Sequence, residues 1–219
     1  LFKEHKLFLF KVNSMKYFID YFLIVIIFPI FVIIFPLISL MILIFDSSPI
    51  IYSQKRVGLG GKEFSLYKFR TMSVSSDESV HKEHYKDLSS NKKIEPSLTP
   101  DDPIRIENDD RITKIGSILR KTSLDELPNL LNVLLGQMSF VGPRPLVKYE
   151  SDLYGEYSKK RNSVKPGITG LAQIQGRLDL SLQERLYWDI EYVEKKSFYY
   201  DLLIIFKTVI SVLSRRGAN

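Results

Sequence analysis

The sequence predicts an α+β protein, mainly helical, in which a re-entrant N-terminal membrane helix leads into a small β-hairpin and then into short and amphipathic helices at a membrane surface. Three observations predict it. The run from Tyr21 to Phe45 carries no charged side chain, two β-prone stretches flank Gly58, Gly60 and Gly61, and from Thr113 onward apolar residues recur at helical spacing.

As one straight helix the uncharged run would be about 38 Å long, enough to cross a hydrocarbon core of about 30 Å. Pro29 and Pro36 interrupt it, and each removes a backbone donor, so a bend or break is expected there. Lys3, Lys6, Lys11 and Lys16 precede the run, and Lys55, Arg56, Lys62, Lys68 and Arg70 follow it, which draws both flanks toward the cytoplasm. A re-entrant helix–break–helix satisfies both features. A single crossing and a buried core helix are the alternatives. A cleaved signal peptide fits less well, because the run is too long and no A-x-A-like site follows it before Asp46.

Next, Ile50 to Tyr52 and Phe64 to Phe69 read as the arms of a hairpin, with the glycines as turn chemistry rather than a phosphate loop, since no G-K-[ST] ending follows. From about 73 to 110 serines, prolines and mixed charges predominate, which predicts a mobile loop with a short helix. Within it His81 and His84 share a helical spacing but lack a third ligand, and they read as a solvated face. A helix from Thr113 places Ile115, Ile118 and Leu119 on one face. A second, from about Leu124 to Leu135, is closed by Gly136. Ser181 and Glu184 form a capping box for a helix reaching Lys195. The stretch from about 198 to 213 is apolar except for Asp201 and Lys207 and precedes Arg215 and Arg216, which suits a helix lying in the headgroup plane.

The 219 residues divide into a membrane-associated segment, 1–46, and one cytoplasmic domain, 47–219. A 45% share of hydrophobic residues excludes a disordered or fibrous chain. With no cysteine there is no thiol nucleophile, Cys-ligated metal or disulfide. A net charge of +6 without a dense basic stripe fits an anionic membrane surface better than nucleic acid.

Chemistry concentrates between Arg111 and Arg177. Asp125 and Glu126 stand side by side at an expected helix N-terminus, where the macrodipole favours negative charge. Ser123 with Glu126 also reads as a capping box, which would account for these residues without any catalysis. Around them lie Arg120, the turn Gly142-Pro143-Arg144-Pro145, and Lys165 to Gly170 leading to Gly176-Arg177. Arginines beside rigid turns suit phosphate recognition.

Five blocks in order, Tyr67-Lys68-Phe69-Arg70-Thr71-Met72, Arg111-Ile112-Thr113, Leu119 to Pro128, Met138 to Pro145 and Pro166-Gly167-Ile168-Thr169-Gly170, resemble the bacterial sugar transferases, the monotopic polyprenyl-phosphate phosphoglycosyl transferases in their minimal form. The resemblance runs from about Lys16 to Lys207. Such chains usually break the re-entrant helix at a Ser-Pro pair, whereas here neither proline follows a serine. The resemblance implies transfer of a sugar phosphate from a nucleoside diphosphate sugar, a UDP-sugar, to polyprenyl phosphate, with Mg2+ and release of the nucleoside monophosphate. This is an initiating step of surface glycan synthesis at the cytoplasmic face of the bacterial inner membrane. It assigns Asp125 as nucleophile, Glu126 to metal binding or to assisting the acceptor, both carboxylates to the metal, and substrate contact to Lys68, Arg70, Arg120, Arg144, Arg177 and Asp201. A homo-oligomer is compatible with it. The competing class is a non-catalytic membrane-attached interaction module.

Overall fold

The computed structural model describes residues 2–46, 49–73, 79–89, 94–98, 103–104 and 109–213, and their side chains from Met15 onward except those of residues 80 and 178. Its elements in chain order are α1 (Phe2–Asp46), β1 (Ile51–Val57), β2 (Glu63–Phe69), α2 (Ser79–Ser89), α3 (Lys114–Thr122), α4 (Asn129–Leu134), β3 (Ser139–Val141), α5 (Lys148–Leu153), α6 (Tyr157–Arg161), β4 (Gly167–Thr169), α7 (Leu171–Gln175), α8 (Leu182–Lys195) and α9 (Phe198–Leu213). The mainly helical α+β class is as expected. β1 and β2 form the antiparallel hairpin, in register from Ile51 opposite Phe69 to Val57 opposite Glu63. Gly60 and Gly61 make the turn at positive φ. A second pair, β3 with β4, runs parallel.

α1 is one helix, so the expected break at Pro29 or Pro36 is not there. Each proline costs about 3 kcal/mol in a helix interior, and packing on both sides of the pair holds the helix in register. Toward its N-terminal half, Leu23, Ile24, Ile27 and Phe31 pack with Phe64, Leu66, Phe140 and Ile204. Beyond Pro36, Ile38 and Ile42 pack with Phe69, Ile115 and Leu119. These residues recur every three or four positions, which lays a single stripe along the domain. The other face exposes Phe18, Phe22, Val25, Phe28, Val32, Ile33, Leu37, Leu40, Ile44 and Phe45. Such a continuous apolar surface is foreign to water and suits lipid.

Polar contacts fasten both ends of the run to the same domain. At one end Lys16 Nζ donates to Val141 O at 2.8 Å and to Asp201 Oδ2 at 2.8 Å, and Asp20 Oδ1 accepts from Ser139 Oγ and Phe140 N. At the other, Thr113 Oγ1 donates to Asp46 Oδ2 at 2.8 Å. α9 spans the residues expected of the C-terminal helix and contacts α1. It exposes Phe206, Val209 and Ile210. Arg215 and Arg216 lie outside the described residues.

Three local expectations change. Ile118 is 53% exposed, so α3 buries only Ile115 and Leu119 of its expected face. No α-helix begins at Leu124: Leu124–Glu126 is a single 3-10 turn, and α4 starts after Pro128, which has no N–H to give. Part of the expected mobile loop is docked instead, since α2 buries Tyr85, and Ile94 and Ile104 join its core. His81 and His84 are therefore not on a solvated face: His81 lies against Tyr149 and Tyr85, and His84 Nε2 is 3.1 Å from the Ile104 carbonyl. Residues 74–78, 90–93, 99–102 and 105–108 of that loop are outside the described residues. The Ser181–Glu184 capping box at α8 is present as expected.

Candidate active site

Ser123 ends α3 in the left-handed region, φ 57, and closes it with its N–H on the Arg120 carbonyl. A non-glycine residue held there stores about 1 kcal/mol or more of strain. The consequence is a sharp exit that presents Asp125 and Glu126 on the 3-10 turn. The expected capping box is absent, as the Ser123 side chain makes no cap bond. The bland explanation for the two carboxylates thereby loses its geometry.

β2 supplies Lys68, whose Nζ lies 2.5 Å from Glu126 Oε1 and 3.8 Å from Asp125 Oδ2. Arg144 Nη1 meets the same Glu126 oxygen at 3.1 Å. Arg144 sits in the turn after β3, where Gly142, Gly167 and Gly170 pack backbone on backbone. A Cβ on Gly167 would stand 2.1 Å from Gly142 N, and one on Gly170 2.1 Å from Gly142 O. Behind the turn Arg161 Nη2 donates to Arg144 O at 2.6 Å while its Nε pairs with Asp189 at 2.8 Å, and both side chains are buried. Arg144 itself keeps 37% of its side chain exposed, within reach of a ligand.

The two carboxylates are driven apart electrostatically. Burial raises Glu126, but Lys68 and Arg144 more than offset it and hold its carboxyl at about 2. Burial also raises Asp125; Lys68 opposes the rise, the Glu126 charge adds to it, and the net direction is upward. One carboxylate is thus a fixed anion bound by two cations, and its neighbour one whose charged form is disfavoured by burial.

Both open into a cavity of about 480 Å³ that is also lined by Lys68, Arg70, Arg120, Arg144 and Arg177. Seven of the eight expected site residues therefore converge. Arg120 is aimed by a bond to Thr71 Oγ1 at 3.0 Å, and Arg70 is held by the Pro49 carbonyl at 3.1 Å. Asp201 is the exception. It is buried in the contact of α9 with α1, bound by Lys16 and Tyr192, and is absent from the cavity's described lining. Its carboxylate anchors α1 through Lys16. Arg56, Arg111, Tyr149, Gln173 and Arg185 also line the cavity but were not among the expected site residues. Among the described residues eight Arg and Lys side chains face three carboxylates, an anion-binding balance. No group of three or more His, Cys, Asp or Glu among them could cage a metal alone.

Residues 11–215 match the family model described as Bacterial sugar transferase. The undecaprenyl-phosphate galactose phosphotransferase of Salmonella typhimurium is 44% identical over 79% of this chain and 35% of its own length. The exopolysaccharide production protein ExoY of Rhizobium meliloti is 38% identical over 79% of this chain and 74% of its own. The UDP-glucose:undecaprenyl-phosphate glucose-1-phosphate transferase of Escherichia coli is 35% identical over 83% and 36%. The chain thus spans about a third of the length of the Salmonella and Escherichia proteins and about three quarters of ExoY.

Proposed function

Because the chain belongs to the bacterial sugar transferase family, with residues 11–215 matched, we propose that it transfers a sugar 1-phosphate from a UDP-sugar to undecaprenyl phosphate at the cytoplasmic face of the inner membrane, opening the assembly of a surface glycan. The names of its relatives support the acceptor and the class of reaction. The observation that carries the mechanism is the Asp125–Glu126 pair, one carboxylate destabilised and one neutralised, beside cations in a cavity bounded by α9.

An Asp125 oxygen attacks the β-phosphorus of the donor. The bond from that phosphorus to the bridging oxygen breaks, and the nucleoside monophosphate leaves with the electron pair. An oxygen of the lipid phosphate then attacks the same phosphorus, the acyl-phosphate bond breaks, and the Asp125 carboxylate is restored. Arg144 and Lys68 hold phosphate oxygens through charge-assisted bonds, and Glu126 keeps those two cations in place. Glu126 Oε1 is already engaged by both, so Asp125, with the free part of Glu126, is the protein's share of a Mg2+ site. Mg2+ is usually held by one or two carboxylates plus substrate phosphates, so this pair fits it in that form. When bound, the ion would neutralise phosphate charge.

The chemistry is tested by supplying donor and Mg2+ without acceptor. Up to one nucleoside monophosphate per active site should be released, leaving a hydroxylamine-labile adduct on the peptide containing Asp125. If an enzyme active with both substrates never releases nucleotide alone, transfer is direct and the covalent step is wrong.

Fastening of both ends of the unbroken α1 run to one domain supports a helix held at one face of the membrane over a crossing. The chain has no cysteine, so single Ser14→Cys and Ser163→Cys variants report topology cleanly. Both should resist an impermeant thiol reagent in intact cells and react after lysis. Labelling of Ser14→Cys alone in intact cells would establish a crossing.

A further inference from the structure

Two displacements at one phosphorus, with Asp125 on one side of it, constrain where everything else can lie. In each step the entering and leaving oxygens stand roughly in line. The nucleotide therefore departs opposite Asp125, and the lipid phosphate must arrive opposite Asp125. The two phosphates occupy one place in turn, while the sugar stays on the phosphorus throughout and needs a place of its own.

Part of the cavity wall comes from α9 and is mostly apolar. Thr208 and Val212 of that helix line the cavity beside Ile168 and Ala172, and the same helix exposes Phe206, Val209 and Ile210. A different part of the wall is polar and comes from β1, α5 and α8: Tyr52, Gln54, Arg56, Tyr149 and Arg185. Arg185 is 4% exposed, held by the hydroxyls of Tyr154 at 2.8 Å and Tyr85 at 3.2 Å. Its Nη2, and Nε of Arg56, are buried with no partner among the described residues. A buried N–H left unpaired is costly, and a small shift of either guanidinium toward an acceptor in the cavity relieves that cost. Glu150, 3.6 Å from Arg56 Nη1 and itself buried, cancels one of the two guanidinium charges. The wall thus holds one uncompensated guanidinium, whose N–H groups donate to a hydroxyl oxygen as well as to an acid.

We propose that this wall, centred on Arg56 and Arg185, is the subsite for the transferred sugar, a neutral hexose whose hydroxyl oxygens accept from the two guanidinium groups. The inference rests on the transferase reading, but it is tested by binding rather than turnover. In the full chain carrying Asp125→Asn, with Mg2+ in detergent, the affinities of UDP-galactose, UDP-glucose and sugar-free UDP are compared before and after adding Arg56→Lys or Arg185→Lys. Each addition should weaken the tighter UDP-hexose about 10-fold or more, as expected for a charge-assisted bond, and leave UDP within about twofold. Parallel loss for UDP would place the wall on the nucleotide. An unchanged UDP-hexose affinity, or a hexose that adds nothing to the binding of UDP, would also overturn the proposal. Arg185 supports two core tyrosines, so thermal unfolding identifies a misfolded variant, and Arg56→Lys then decides. Failure of the covalent mechanism appears separately, as absence of acceptor-free nucleotide release.

Discussion

Asp125→Asn is expected to lower transfer about a thousandfold or more while making the folded chain more stable at neutral pH. The loss follows from chemistry: an amide oxygen forms no lasting phosphosugar adduct, and removing a covalent nucleophile is among the most damaging single changes in an enzyme. The gain follows from burial, the largest influence on Asp125, which raises its carboxyl above the ordinary value. A carboxyl whose folded pKa lies above its unfolded one contributes stability at low pH, and that contribution is lost as pH rises through the folded value. Burial therefore sets a penalty on the charged form of the wild-type carboxyl that asparagine does not bear. Thermal unfolding should show a higher midpoint for Asp125→Asn at pH 7, with the gap closing as the pH is lowered. The first half-reaction of wild type should speed up as pH rises through the same range, because only the ionised carboxylate attacks. Near-normal turnover by the purified variant would remove Asp125 from the nucleophile role and leave direct transfer between donor and acceptor as the better reading.

Local periodicity made most of the fold legible. The hairpin, the α8 capping box and the bounds of α9 each follow from residues within a few positions of one another, and they appear where the sequence places them, except that β1 runs on past Tyr52 to Val57. What failed depends on distant partners. Proline statistics describe an isolated helix, whereas Phe64, Phe140, Phe69 and Leu119 come from elsewhere in the chain to hold α1 through Pro29 and Pro36. Asp125 and Glu126 were visible as a pair, but their opposite environments depend on Lys68 and Arg144, far away in sequence. Asp201, assigned by the resemblance, lies outside the cavity's described lining because its partner is Lys16 of α1, a pairing no local pattern shows. Arg56 and Arg185 carried no local signal, since an arginine in an exposed-looking strand or an amphipathic helix reads as solvated.

Glu126→Gln should act in the opposite sense to Asp125→Asn, although the two residues are adjacent. Its carboxyl is held at about 2 against an ordinary value of 4.5. A group depressed in this way stabilises the fold above its unfolded pKa, and that stability is lost as pH falls from about 4.5 toward 2. Substitution also leaves Lys68 Nζ and Arg144 Nη1 without the oxygen they share. Removing one member of a buried ion pair costs about 3–5 kcal/mol, because the remaining charge is stranded. Arg144 is partly exposed, so the lower end applies here. Denaturation at pH 7 should show this loss for Glu126→Gln, shrinking as the pH is lowered toward 2, where wild type loses the same contact. Lys68→Met in the Glu126→Gln background should recover part of the stability, since a neutral pair replaces the stranded ammonium. It should recover no activity, because Lys68 also faces Asp125 and the phosphates. If Glu126→Gln unfolds like wild type at pH 7, Glu126 is not the anchor of these two cations, and their placement around Asp125 must come from the backbone contacts at Gly142 and Arg161.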